Sequence, residues 1–374
     1  MTEALVIGGG PAGAAAAILL ARAGRSVTLL ERETGAHDKV CGEFISHEAA
    51  AYLAQIGLDL GALGAVPIRR ARLADKRGVT DIALPFPAFS LSRRRLDEAL
   101  LQLAEKAGVD LRRGVRARGL APISAGWRAD LGEAGAIDAD AAFLAVGKHD
   151  LKGWKRPEGL QGDLIGFKMH LRLQPAQAAA LDGHVELMLF PGGYAGLEPI
   201  EDGLANLCLL VRRRSLPEGQ AWTALVEAMR AACPLLKERL TDAEMLWPKP
   251  LAIAAIPYGH VQLSSGGLWR LGDQAAVIPS FAGDGLAIAL HSAHAAAGAY
   301  LAGQSAQTYQ SRLARDLAPQ VLGATILSQA MVRPWGQMLL AQVARLQPRL
   351  MAAAAARTRI SERALRALPA PARP

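Results

Sequence analysis

Gly8, Gly10 and Gly13 give a G-x-G-x-x-G spacing inside "EALVIGGGPAGAAAAILLARAGRSVTLLER". The chemistry that such spacing serves is recognition of a phosphate pair. Gly8 permits a tight turn, Gly10 lets the backbone approach a pyrophosphate, and Gly13 lets the following helix pack closely on the strand. Ala12 lies at the helix start, where free N–H groups and the positive end of the helix dipole face the phosphates. Glu31, with Arg32 beside it, ends the next strand 18 positions after Gly13, and its carboxylate suits ribose hydroxyls. A preceding strand, a following helix and an acidic residue at this interval make the motif more specific than the glycines alone. The glutamate favours a free ribose 2′-hydroxyl, and so FAD or NAD over NADP.

A second glycine-rich helix start follows much later, in "LGDQAAVIPSFAGDGLAIALHSA". Asp273 is placed to bind a sugar-like polyol. Gly283, Asp284 and Gly285 offer backbone N–H groups at a helix start. Two such sites suit a long, extended dinucleotide. FAD fits better than NAD, because its ribityl chain supplies a second polyol for Asp273. Cys41, in "KVCGEFIS", reads either as a small buried apolar residue or as a thiol facing a reactive cofactor. His291 and His294 stand three apart on one helix without an Asp, Glu or Cys cluster. They are read as solvated or satisfied helix histidines, and no metal is expected. The arginine runs 93–95 and 212–214 read as solvated faces, Arg93 excepted, and no serine has the G-x-S-x-G setting of a hydrolase.

Elements must bring these stretches together. The length of 374 residues suggests two or three lobes. "SRRRLDEALLQLAEKAG" is an amphipathic helix, with Leu96, Leu100, Leu103 and Ala107 on one face. "ARLADKRGVTDIALPFP" reads as a hairpin. Strand-like runs over 164–256, interrupted by a helix at "WTALVEAMRAA", predict a lobe built on an antiparallel sheet. From about residue 306 the pattern is helical. The expected organisation is a discontinuous nucleotide-binding domain (1–75, 90–160 and 264–305), a substrate domain (76–89 and 161–263) and a C-terminal helical region (306–374). The net charge of +8 comes with only 5% aromatics and no basic–aromatic interleaving, which argues against nucleic acid. Three cysteines without paired spacing, no secretory pattern and no long apolar run predict a cytoplasmic protein. The segment "LGATILSQAMVRPWGQMLLAQVARLQPRLMAAAAARTRI" is apolar and free of acidic residues. It reads as helical packing or, alternatively, as a lid or peripheral membrane face admitting a greasy substrate.

At these residues the chain resembles the flavoproteins of the p-hydroxybenzoate hydroxylase fold, in particular the branch of geranylgeranyl reductases and related FAD-dependent monooxygenases. The resemblance spans roughly residues 1–305. It rests on "VIGGGPAG", on "SRRRLDEALL" against the R-x-x-[FL]-D helix start, on "AFLAVG" at a strand end, and on "GDQAAVIPSFAGDG". "KVCGE" looks like the K-x-C-G segment of the reductase branch. The resemblance implies an α/β fold: a Rossmann-like FAD-binding domain of the glutathione reductase type, an inserted antiparallel-sheet substrate domain and a C-terminal helical segment. It implies that Arg93 contacts the FAD phosphates, that Val115 meets the adenine through its backbone, and that Gly147 touches the cofactor at the end of "AFLAVG". It places Asp273 at the ribityl or pyrophosphate region, the Pro279–Gly285 loop beside the isoalloxazine, and Cys41 near the ring. Where many hydroxylases of this fold carry a D-G motif, this chain has Lys148-His149-Asp150. The W-x-W-x-I-P signature of flavin halogenases is absent. No second G-x-G-x-x-G unit exists, so NAD(P)H is expected to visit the flavin transiently.

These observations lead to the expectation of an FAD-dependent oxidoreductase. The leading form is an NAD(P)H- and O2-dependent monooxygenase acting on a lipophilic phenolic, polyketide or isoprenoid-like compound. The alternatives are a geranylgeranyl-reductase-like enzyme that saturates double bonds, and a non-enzymatic flavin-binding redox sensor using Cys41.

Overall fold

The computed structural model describes residues 2–217, 222–347, 349–350, 358–360 and 364–365. The chain opens with β1 (Thr2–Ile7), α1 (Pro11–Arg22), β2 (Val27–Glu31), β3 (Phe44–Ile45), α2 (His47–Gln55), β4 (Val66–Asp75) and β5 (Gly78–Ser90). Next come α3 (Arg93–Lys106), β6 (Asp110–Arg113), β7 (Gly119–Ile123), β8 (Gly126–Asp130) and β9 (Ala136–Leu144). The middle holds β10 (Leu164–Arg172), α4 (Pro175–Leu181), β11 (His184–Phe190), β12 (Gly193–Ile200), β13 (Leu204–Arg212), α5 (Trp222–Ala232), α6 (Pro234–Arg239), β14 (Glu244–Met245) and β15 (Leu251–Ala254). The chain closes with β16 (Trp269–Arg270), α7 (Gly285–Leu301), α8 (Ala306–Met331) and α9 (Pro334–Leu346).

The first sheet runs β6-β2-β1-β9-β8-β7, with β16 also against β9. Its β6, β2, β1, β9 and β16 pairings are parallel, and β8 and β7 extend it antiparallel. Strands buried on both faces read as continuous apolar runs, as "ALVI" and "VTLL" do here. On one face α1 is squeezed between the sheet, α3 and α7. Only small side chains fit there, and Ala14 to Ala17 are fully buried. Helix α7 is apolar on nearly every side, as a helix enclosed by neighbours must be.

The second sheet runs β14-β10-β13-β12-β11-β4-β5-β3, with β15 also on β10. It is antiparallel except where β11 meets β4. Strand β4 lies wholly in this sheet and forms a continuous hairpin with β5, so a division at residue 76 falls at the hairpin turn. One face is covered by α5 and α6 through Leu225, Met229 and Leu236. The opposite face meets Tyr258 and Val277 and the helical hairpin α8–α9, through Met331, Val332 and Ala344. The helical pattern expected from 306 is realised in α8 and α9. Beyond them, residues 348, 351–357, 361–363 and 366–374 of that expected region lie outside the described residues.

Candidate active site

Both glycine-rich helix starts open into one cavity of about 1320 Å³, which runs between the two sheets. That exceeds the roughly 300–1,000 Å³ of pockets for drug-sized ligands and leaves room for a dinucleotide. At one end Gly8, Gly10 and Ala12 line it. Gly8 has φ +109°, and a Cβ there would stand 2.4 Å from the Ala145 carbonyl oxygen. Gly10 is different: its φ of −72° suits any residue, and a Cβ would point toward open space, with Arg93 Nη2 at 3.7 Å. The N-terminus of α1 carries no side-chain cap, so its orphan N–H groups face the cavity unclaimed. Gly13 is not on the wall. It is a packing residue, because a Cβ would lie 1.9 Å from the Gly8 carbonyl oxygen.

Glu31 and Arg32 also line the cavity. The Glu31 carboxylate accepts from the Gly9 N–H at 2.9 Å and the Glu33 N–H at 3.0 Å, and so braces the glycine turn itself. Val115 is on the wall with its N–H committed to the Glu31 carbonyl at 3.0 Å. Arg93 reaches the cavity from the first turn of α3, held by two 2.8 Å bonds to Asp97 one turn on. Burial works against both charges, but the pairing wins. It raises the Arg93 pKa and, together with Lys39, lowers that of Asp97.

Gly147, Asp273, Gly283 and Gly285 line the cavity as well, next to the first glycine turn, since a Cβ at Gly272 would stand 3.3 Å from Ala12 Cβ. Pro279 does not, although its neighbours Ile278 and Ser280 do. Two residues that the motifs did not mark join these loops. The buried Arg156 donates to the Asp150 carboxylate and to the carbonyls of Lys148 and Asp273. Gln274 Nε2 donates to the carbonyls of Gly147 and His149, each at 2.7 Å. The turn after β9 and the turn after β16 are therefore one rigid unit. Asp284 does more than offer a backbone N–H. Its carboxyl is fully buried against Gln320 of α8 and against Arg359, 2.9 Å away. Burial, with a small addition from Glu48, pushes that carboxyl up to about 7 despite the Arg359 charge.

Cys41 is half-buried on the wall of the same cavity. Its sulfur accepts from the Glu43 N–H at 3.4 Å and meets the Arg93 side chain. Lys148 Nζ donates to the Val40 carbonyl at 2.6 Å and ties this segment to the β9 turn. Glu43 stands in the left-handed region at φ +62°, an unfavourable place for a residue with a side chain. A buried network holds it there. Its carboxylate bonds to Lys168 Nζ, to His170 Nε2 at 2.9 Å and to the Arg93 N–H at 2.7 Å. Burial opposes the Glu43 charge, but the His170 bond and the Lys168 charge hold its pKa below the ordinary value. Asp38, Glu43 and His170 approach one another closely enough to suit a metal, but the Lys168 ammonium already supplies the cation to Glu43. Lys168 and His170 left one trace in the sequence, two polar residues at i and i+2 in the otherwise apolar "LIGFKMHL".

His291 and His294 lie away from the cavity and are buried rather than solvated. Tyr52 Oη bonds to His291 Nδ1 at 2.8 Å, and burial lowers the His291 pKa to about 4, so the ring is neutral.

Residues 1–137 match the FAD binding domain family. Bare backbone at Gly10, two helix starts without a side-chain cap, the Arg93 guanidinium beside Gly10 and the acidic Glu31 on the wall suit FAD. The chain is 27% identical to menaquinone reductase of Mycobacterium tuberculosis over 319 residues, covering 79% of this chain and 75% of that one. It is 29% identical to digeranylgeranylglycerophospholipid reductase 2 of Methanopyrus kandleri over 298 residues, 76% of this chain and 73% of that one. Among solved structures, halogenase PltM superposes with a TM-score of 0.75 at 15% identity, over 94% of this chain and 85% of that one. A geranylgeranyl bacteriochlorophyll reductase-like protein of Thermoplasma acidophilum gives a TM-score of 0.71 at 19% identity, over 97% and 94%. These structural likenesses concern the fold. What the sequence itself carries is the FAD binding domain of residues 1–137.

Proposed function

We propose that this protein is an FAD-dependent reductase that saturates a carbon–carbon double bond of an isoprenoid-like lipid. The observation that carries the reading is the Cys41 thiol on the cavity wall, with the Glu43 N–H and the Arg93 side chain directed at its sulfur. The Glu43 N–H and the positive charge of Arg93 would favour the charge that the sulfur carries after giving up a proton. Bound FAD, once reduced, would supply the two electrons and one hydrogen. Cys41 would deliver the second hydrogen as a proton and be reprotonated from solvent. Hydroxylation requires no such thiol, so saturation takes precedence over the monooxygenase reading expected from sequence. The names of the two reductase relatives point the same way. Arg93 and the N-terminus of α1 would hold the pyrophosphate, Glu31 and Asp273 the two polyols, and the loop that opens α7 would lie beside the isoalloxazine. NAD(P)H serves as transient electron donor in this reading.

The helical hairpin supports a lipid substrate. An ordinary surface helix turns its large apolar side chains inward. Helix α9 does the reverse: Gly336, Ala341 and Ala344 are buried, while Trp335, Met338, Leu339 and Leu346 are about half exposed or more. Leu322 and Ile326 extend this surface along α8. No acidic residue occurs between Asp316 and Glu362, whereas Arg333 and Arg349 are exposed. An apolar face with a cationic rim fits an anionic lipid surface. No helix among the described residues is long and apolar enough to cross a membrane, so the contact would be peripheral.

Anaerobic turnover with reduced FAD and a polyprenyl lipid, read by mass spectrometry, tests the reaction. A gain of two hydrogens is expected; a gain of one oxygen, seen only in air, would establish the monooxygenase instead. Cys41→Ser should retain FAD and slow the saturation step at least about tenfold, because a hydroxyl gives up its proton far less readily. Unchanged single-turnover rates in Cys41→Ser would remove Cys41 from the chemistry.

A further inference from the structure

Under the Val40–Glu43 segment the second sheet presents a row of polar side chains. His170 of β10, Asn206 of β13 and Glu198 of β12 stand directly opposite one another across the strands. Asn206 Nδ2 donates to the Cys41 carbonyl at 3.2 Å and to the Gly42 carbonyl at 3.0 Å. That orientation is forced, because the flipped amide would aim its oxygen at two carbonyl oxygens. It leaves Asn206 Oδ1 buried with no donor. Both carboxyl oxygens of Glu198 are also buried without a partner, on a residue 3% exposed. If Glu198 were ionised, its oxygens would face an amide whose N–H groups are already given to the Cys41 and Gly42 carbonyls, at a desolvation cost that folded proteins avoid. A single proton resolves it.

We propose that Glu198 is a neutral carboxylic acid whose O–H donates to Asn206 Oδ1, making it the positioning residue that fixes the Cys41 and Gly42 carbonyls. The surroundings favour that state. Burial pushes the carboxyl well above the usual carboxylate range, and the negative Glu43 adds to it. Lys168, the nearby cation, is already engaged by Glu43. Glu198 itself is not on the cavity wall, so it acts through Asn206. The consequence for catalysis rests on the reductase reading; the hydrogen bond does not.

Infrared difference spectra of the purified holoprotein test the protonation. At neutral pH the wild type should show the carbonyl stretch of a neutral acid that disappears in Glu198→Gln. In Asn206→Leu the band should remain but move to the higher frequency of an unbonded acid. Absence of the band in the wild type overturns the proposal. Positioning is read by iodoacetamide labelling of Cys41, followed by peptide mass mapping. Glu198→Gln keeps a donor and should label within about twofold of wild type, whereas Glu198→Met keeps the volume, lacks the donor and should label about tenfold faster. Equal rates in the two variants overturn the positioning role. Neither readout needs turnover, so a failure of the reductase assay leaves both results interpretable.

Discussion

At the scale of single residues, two glycines three positions apart have opposite sensitivities. Gly10→Val should fold with a nearly unchanged melting temperature, because its backbone is ordinary and its Cβ would enter the cavity. It should lose the flavin absorbance, since the side chain would occupy the pyrophosphate approach. Gly13→Val should damage the fold itself, because the Gly8 oxygen leaves no room for a Cβ. Loss of flavin in neither variant would refute the assignment of this end of the cavity. The spacing of the glycines made this end legible, since backbone geometry dictates residue type there. The Glu43–Lys168–His170 network was not legible, because its members lie 125 and 127 positions apart in the chain and only sheet pairing joins them. Lys168→Met should cost about 3–5 kcal/mol in urea unfolding by leaving a buried charge uncompensated. Adding Glu43→Gln should recover much of that loss; simple additivity would show that the two charges do not act as a pair.

At the scale of elements, the outer face of α9 makes the clearest demand. Flotation with phosphatidylglycerol vesicles should retain the wild type and fall at least about tenfold in Trp335→Ser/Leu339→Ser, given roughly 1.5–3 kcal/mol per large apolar side chain buried. Binding should also weaken with salt as the arginine rim is screened. Equal retention of the double variant would defeat the membrane reading, and sedimentation as a dimer would assign the face to a second copy instead. The acid-free composition of this tail was visible in the sequence, and so was its helicity. The direction of its apolar side chains was not. Small residues at 336, 341 and 344 pack inward, and a periodicity count that treats every apolar residue as core assigns the wrong face. The β4–β5 hairpin was legible from its turn residues, whereas the sheet β4 joins depends on β11, more than a hundred positions later.

At the scale of the molecule, the C-terminal part reaches back to the second helix start. Arg359 pairs with Asp284 and lies over the Phe86 ring at 4.3 Å. The Asp284 carboxyl rises from an ordinary 3.8 to about 7 in the fold. A raised acid contributes stability that is complete below the unfolded value and lost as pH climbs through the folded one. Asp284→Asn should therefore gain melting temperature relative to wild type between about pH 4 and 7, with a plateau above. A difference that stays flat over that range would show that Arg359 compensates the charge fully.

The packing of α1 against α7 has a further consequence, for biosynthesis. Helix α1 leaves the ribosome well before α7, on which it rests, and a Cβ at Gly272 would already touch Ala12. At about 5–20 residues per second, the roughly 260 residues between them take some 13–52 s to emerge. Throughout that interval the side of α1 that meets α7 has no partner. The nascent chain is then a natural client for chaperones, and transcripts cut short before α7 should yield insoluble protein, however complete their glycine motif.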